Sequence, residues 1–293
     1  MFLKRLIGLM LFKAPKLFVS DALFLKLRYY ITFGKKINLK APVSFNEKLQ
    51  WLKLYDRNPA YCGMVDKYEA KKIVAEKIGE EYIIPTLGVW TNFDDIDFQS
   101  LPDQFVLKCT HDSGGLVIVK DKNSFDKEAA KEKITKALNT NYYLLGREWP
   151  YKHIEPRIIA EKYMVDEPEA PDLTDYKFFC FDGKVDCVMV CLERSSGETK
   201  FYFFNQDWKL KRLNIRGKNA PEGFTIPKPK CMDEMFQIAA ELSKGMPFVR
   251  VDLYQSNGQV YFGELTFYPA SGFDANLLPE TDEYFGSLIN IKK

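Results

Sequence analysis

Acidic residues sit where a plain β-hairpin has no need of them. Within Phe248–Thr266, Asp252 and Glu264 lie on two strand-like runs joined by Ser256-Asn257-Gly258, with Arg250 two residues before the first acid and Thr266 two after the second. Two carboxylates on one sheet face can share a divalent cation, because hard cations take oxygen ligands. Register decides whether they share a face, since a one-residue slip exchanges the faces. A two-residue Asn257-Gly258 turn pairs Ser256 with Gln259 and puts the acids on opposite faces. A three-residue loop, with Gly258 left-handed, pairs Gln255 with Gln259 instead. In that register Val249, Val251, Leu253, Tyr261, Leu265 and Phe267 share one face. Arg250, Asp252, Glu264 and Thr266 share the other, beside Tyr254, Val260 and Phe262. The cleaner sorting favours the three-residue loop, which makes Asp252 and Glu264 diagonal neighbours. The plainer alternative is a sheet edge with two solvated acids beside Arg250.

Other stretches carry chemistry of a matching kind. Lys108 ends the apolar run Phe105–Lys108 and faces the loop Cys109–Gly115, whose adjacent Gly114 and Gly115 let backbone amides approach phosphate oxygens. No Gly-x-x-x-x-Gly-Lys-Ser/Thr run is present, and the loop joins two strands, so this is not a P-loop. Ile158–Met164 is an apolar strand ending in Glu161-Lys162 and then Tyr163-Met164, a form suited to the joint between two lobes and to the edge of a flat base. Lys177 interrupts the aromatic strand Asp175–Phe181, either to neutralise phosphate or to guard a sheet edge. Arg194 stands at a strand end, where a forked donor holds carboxylate or phosphate.

Ordinary elements must position these groups. Ser44-Phe-Asn-Glu47 is a capping-box pattern opening a helix over Phe45–Tyr55, and a second helix runs from Asp66 to Gly79. Strand candidates follow at Tyr82–Pro85 and Gly88–Trp90, then the hairpin 105–120 and a charged helix over 124–140. Strands at 157–163, 175–181, 184–193, 200–205 and 209–213 precede a Pro-rich linker at 221–230, a helix at 232–244 and the acidic hairpin. Val165–Thr174, acidic and Pro-containing, is expected to be a mobile crossing.

Composition narrows the function classes. A net charge of +2 argues against general nucleic-acid binding. Only two histidines, His111 and His153, stand far apart, which argues against a histidine zinc site. Six cysteines with no Cys-x-x-Cys pair and no evident signal peptide suit a reduced cytosolic setting. The basic, apolar first thirty residues are too short for a span; they fit either a helix packed on the protein or a peripheral helix at the inner membrane face.

The order of these elements resembles the ATP-grasp superfamily, and Ser44–Tyr55, Asp66-Lys67 and Phe262–Phe273 look like its TupA-like branch. The resemblance covers roughly residues 40–285. It implies an α+β fold: two lobes with antiparallel sheets clasping a nucleotide, plus a helical N-terminal region. Residues 1–60 would form that region, 61–164 the phosphate-loop lobe and 165–293 the metal-binding lobe. Lys108 and Lys67 would contact ATP phosphates, with Gly114 and Gly115 in the covering loop. Glu161 and Tyr163 would lie at the adenine hinge, Asp252 and Glu264 would hold Mg²⁺, and Lys177 and Arg250 would offset the remaining phosphate charge. Thr266 stands where the superfamily commonly has Asn and would offer the metal one hydroxyl ligand, and the phosphate loop is poorer in glycine than usual. The implied activity is an ATP- and Mg²⁺-dependent ligase joining a carboxylate, on a cell-surface polysaccharide or its precursor, to an amine. Paired acids and a metal also suit nucleotide-sugar chemistry, so a glycosyltransferase of capsular or cell-surface polysaccharide biosynthesis is the alternative.

Overall fold

The computed structural model describes residues 10–11, 15–17, 20–165, 173–193 and 198–291. Helices α1 (Asp21–Phe33), α2 (Phe45–Tyr55), α3 (Ala60–Val65) and α4 (Glu69–Ile78) come first. Strands β1 (Thr86–Trp90), β2 (Phe105–Cys109) and β3 (Leu116–Val119), helices α5 (Lys127–Leu138) and α6 (Tyr142–Gly146), and β4 (Ile158–Lys162) follow. The remainder comprises β5 (Asp175–Phe181), β6 (Lys184–Leu192), β7 (Lys200–Phe204), β8 (Leu210–Lys211), α7 (Ile215–Lys218), α8 (Met232–Leu242), β9 (Val249–Ser256), β10 (Gln259–Thr266) and α9 (Pro279–Leu288).

Two antiparallel sheets result. The smaller has the order β1-β4-β2-β3, and the larger β10-β9-β5-β6-β7-β8. Helix α5 places Ala130, Ile134 and Ala137, spaced four and three residues apart, against Phe105 and Leu107 of the small sheet. Helix α8 buries Met232, Met235, Phe236, Ala239 and Leu242 against the large one, Phe236 meeting Phe178 edge-on. The opposite face is covered only in part: Phe45 of α2 and Phe285 of α9 lie on Phe179, 6.4 and 5.3 Å between centroids. The rest of that face carries the charged side chains Lys177, Arg250, Asp252 and Glu264.

The capping box opens α2 as expected: Ser44 Oγ accepts from the Glu47 amide, and Glu47 accepts from the Ser44 amide. The helix expected from Asp66 starts at Glu69, because Asp66 Oδ1 accepts the amides of Tyr68 and Glu69 and so stands outside it. Tyr82–Pro85 is not a strand: Glu80–Tyr82 is a 3-10 turn, and Ile83 makes a single bridge to Phe262. Helix α1 buries Phe24, Leu25 and Tyr29 beside Phe273, while the basic segment 1–9 lies outside the described residues. No described helix is long and apolar enough to cross a membrane.

Candidate functional site

The acidic hairpin closes differently from the sequence reading. Ser256 pairs with Gln259, and Asn257 and Gly258 (φ 52° and 77°) form the two-residue turn. Near the turn the faces are therefore reversed: Val260 and Phe262 enter the core with Leu253, and Tyr261 pairs with Tyr254. A bulge between Phe262 and Glu264 then adds one residue and restores the register that brings the acids together. Glu264 stands directly opposite Asp252, not diagonally, and Thr266 opposite Arg250. Gly263 is the bulged residue; a Cβ there would lie 2.7 Å from the Tyr254 ring and 2.9 Å from the Asp252 carbonyl oxygen. Only glycine fits.

On this face the charges interlock. Arg250 Nε and Nη2 donate to the two Asp252 oxygens at 2.6 and 2.7 Å, and Lys177, opposite Asp252 on β5, donates to the same carboxylate. Lys177 also pairs with Asp175 at 2.5 Å. Arg250 reaches Thr266 Oγ1 at 3.0 Å and Glu264 at 3.3 Å, and the Thr266 hydroxyl donates to Glu264 at 3.0 Å. The two acids differ in exposure: the Asp252 side chain is 1% exposed, that of Glu264 39%. Burial raises the Asp252 carboxyl, with Arg250 and Lys177 opposing. Burial would raise Glu264 too, but Lys67 foremost, then Arg250, Lys177 and the Thr266 hydroxyl, hold it down at about 2. It is a standing anion.

A second cluster lies on the small sheet. Glu161, buried on β4, takes Lys108 on one oxygen and Lys71 on the other, both at 2.5 Å. Lys71 Nζ also donates to the Ile84 carbonyl at 2.7 Å and to Thr86 Oγ1 at 2.9 Å. Burial alone would raise Glu161, yet the two ammonium groups hold it below the usual carboxylate range. The sequence reading missed Lys71. Its signal was a lysine next to Ala70 and one turn before Val74, on the buried side of an otherwise charged helix. The carboxylate expected beside adenine thus serves first as a clamp on two lysines.

Between the sheets opens a cleft of about 370 Å³ lined by Lys108, Glu161, Tyr163, Met164, Val106, Ile118 and, from the large sheet, Tyr254. Lys67 links the halves: its amide donates to the Thr110 carbonyl at 3.0 Å and its ammonium to the Asp112 carbonyl, while its charge lowers Glu264. A Cβ on Gly114 would meet only Asp112 Oδ2, at an ordinary contact distance of 3.7 Å. Gly115 serves packing instead: its amide donates to Asp112 at 2.7 Å, and a Cβ there would lie 2.6 Å from Cys109 Sγ. Arg194 lies outside the described residues, as does most of the expected crossing 165–174. Every other residue singled out thus lines the cleft, the hairpin loop beside it or the charged face adjoining it.

A family model described as TupA-like ATPgrasp matches residues 47–290. The chain belongs to the TupA-like ATP-grasp family. No curated protein matches it in sequence. This ATP-grasp chain is similar in structure to the D-alanine–D-alanine ligase of Bacillus anthracis (18% identity, 84% of this chain and 67% of that one, TM-score 0.41). The corresponding ligase of Helicobacter pylori (16%, 84% and 69%, 0.46) and the D-cycloserine synthetase DcsG (14%, 78% and 70%, 0.43) are similar to a like degree. The TupA-like chain spans about two thirds of the length of these enzymes.

Proposed function

We propose that the protein is an ATP- and Mg²⁺-dependent ligase that activates a carboxylate as an acyl-phosphate and joins it to an amine. The observation carrying this reading is one continuous set of groups. A cleft with Lys108 and Lys162 at its wall adjoins a sheet face bearing two directly opposed acids, and that face opens into a further pocket of about 330 Å³ where Lys177 and Arg250 meet Phe201, Asn214, Asp274 and Asn276. The first cavity suits a nucleotide, and the second an acceptor beside its terminal phosphate. An acceptor carboxylate oxygen attacks the γ-phosphorus as ADP leaves; the amine nitrogen then attacks the acyl carbon, and phosphate departs with the C–O bond pair. The protein's work is positioning and charge neutralisation. Lys108 and Lys67 gather phosphate oxygens, while Lys177 and Arg250 hold the acceptor and the charge that develops beside it.

The donor set suits magnesium. Among the described residues no group of three or more His, Cys, Asp and Glu could hold a metal on its own. Mg²⁺, however, keeps waters and phosphate oxygens and needs only one or two carboxylates from the protein. Glu264, ionised and half-exposed, with Asp252 and the Thr266 hydroxyl beside it, would hold the ion; bound there, it supplies charge stabilisation at the phosphates. The acceptor class, a uronic-acid carboxylate on a cell-surface polysaccharide or its precursor, rests on the TupA-like resemblance.

The ATP-grasp family match weighs against a glycosyltransferase. The Asp-x-Asp run Asp95-Ile96-Asp97 would suit such an enzyme, but its acids serve local turns, accepting from Asn92 Nδ2 at 3.1 Å and the Gln99 amide at 3.0 Å. The test supplies purified protein with an oligogalacturonate, amino acids and MgATP. ADP, phosphate and an amide-linked product are expected. Sugar transfer from a nucleotide sugar without ATP consumption would overturn the reading.

A further inference from the structure

The stretch Ser44–Tyr55, distinctive in sequence, has no part in either charged cluster. Its helix nevertheless buries three polar side chains, Asn46, Gln50 and Lys53, each at most 1% exposed. Spaced four and three residues apart, they form one stripe beside the apolar stripe of Phe45, Leu49 and Leu52. A helix that needed only to pack would carry apolar residues there, because burying a lysine costs desolvation. Burial does push the Lys53 ammonium below its ordinary value, with Glu148 opposing and Arg28 adding to the drop.

All three side chains grip the backbone of one loop. Lys53 Nζ donates to the Ser271 carbonyl and the Gly146 carbonyl, each at 2.7 Å, and to Ser271 Oγ at 3.1 Å, which uses all three ammonium protons. Gln50 Nε2 donates to the Gly272 carbonyl at 2.5 Å and the Ser271 carbonyl at 3.3 Å. Asn46 Oδ1 accepts the Asp274 amide at 2.9 Å, and its Nδ2 donates to Asp282 at 2.9 Å. The gripped segment holds three consecutive left-handed residues: Ala270 (φ 49°), Ser271 (φ 55°) and Gly272 (φ 62°). Two of these are not glycine, and such a conformation persists only where its surroundings over-determine it. A Cβ on Gly272 would lie 2.4 Å from Gln50 Nε2, so glycine is needed for the grip itself. The outer side of this loop, through Pro269, Ala270 and Asp274, walls the pocket that holds Lys177 and Arg250.

We propose that Asn46, Gln50 and Lys53 are positioning residues, and that α2 is a splint fixing Pro269–Asp274 as the acceptor-side wall of the site. The acceptor assignment rests on the ligase reading above; the splint itself does not. It acts on the acceptor pocket and leaves the nucleotide cleft alone, because none of the three residues touches the Lys108–Glu161–Tyr163 cleft.

The test uses the full chain with Gln50→Met and Lys53→Met. Three measurements are made: ATP-analogue affinity by calorimetry, amide hydrogen exchange, and kinetics with oligogalacturonate, glycine and MgATP. Expected are exchange at 270–274 at least about tenfold faster, analogue affinity within about twofold of wild type, and an oligogalacturonate KM raised about tenfold with a smaller change in kcat. Unchanged exchange at 270–274, or an equal loss of analogue affinity, would overturn the proposal. Should Lys53→Met fail to fold, Gln50→Met decides. It removes both donations together with Oε1, a buried acceptor that has no partner, so the fold should tolerate it. If wild type leaves oligogalacturonate untouched, the ligase reading's acceptor class fails, while exchange and analogue affinity still decide the splint.

Discussion

The charged clusters on the two sheets are built from the same residue types in opposite proportions. On the small sheet one carboxylate, Glu161, stands between two lysines, so cations are in excess. On the large sheet Arg250 and Lys177 are met by Asp175, Asp252 and Glu264, so acids are in excess until Lys67 is counted. On the proposed reading, the first would take an anion and the second a cation, which is the division of labour that MgATP requires. Each also pairs a locked member with an open one. Glu161 and Asp252 are buried among their partners, whereas Lys108 keeps 22% of its side chain exposed and Glu264 39%. A locked carboxylate sets the geometry. On the proposed reading, its open neighbour would meet the ligand.

The sharpest way to break this comparison is to remove one acid of each kind from the large sheet. Asp252→Ala leaves Arg250 and Lys177 without their buried partner, and should cost about 3–5 kcal/mol of stability in denaturant melts. ATP-dependent turnover should also fall by at least about 10²-fold. Glu264→Gln should lose turnover on the same scale yet stay within about 1 kcal/mol in stability, since its pairing is half-exposed. Equal destabilisation by both substitutions would erase the distinction between locked and open acids.

Next in size is the bulge that makes the acids face each other. Gly263→Ala forces a methyl group against Tyr254 and the Asp252 carbonyl, and should cost about 2 kcal/mol by overpacking while reducing turnover. A variant as stable and active as wild type would show that the register does not depend on Gly263. On the small sheet, Lys108→Ala should weaken MgATP binding about tenfold, the scale of one charge-assisted hydrogen bond. Its melting temperature should barely move, because Lys71 still neutralises Glu161. Unchanged affinity by calorimetry would refute the phosphate role.

The smallest effect is one of pH. Glu264 is held at about 2 in the folded protein, below its ordinary 4.5. A carboxyl depressed on folding stabilises above its unfolded value, and that contribution is lost as pH falls from about 4.5 toward 2. Glu264→Gln should therefore flatten the fall in stability across that window, as read from denaturant midpoints at successive pH values. An unchanged slope would mean that Lys67, Arg250 and Lys177 do not hold the group down.

Much of this was legible from local rules. The capping box at Ser44 and the hairpins at 105–120 and 248–267 follow from short-range pattern, because caps and strand alternation depend on neighbours in sequence; Asp252 and Glu264 do share a face, but through a bulge and not through the expected loop. The turn at Asn257-Gly258 was misread for an instructive reason. Choosing the loop from face sorting assumed one constant register, and a bulge breaks that assumption at a glycine that could equally have been strand filler. Lys71 stayed hidden because a lysine on a charged helix gives no sign of pointing inward until Glu161, ninety residues on, is seen between it and Lys108.

The sequence by itself determined the residue types, the order of the elements and the two acids on one strand pair, together with the family to which the chain belongs. Each of these is written in spacing along the chain. Tertiary structure alone decided the pairings that cross it: Glu161 between two lysines, Asp252 locked by Arg250 and Lys177 while Glu264 stays open, and α2 holding a left-handed loop more than two hundred residues away. Those choices depend on burial and on distances between sheets. A buried charge takes whichever partner packing brings within reach, and separation along the chain does not encode that distance.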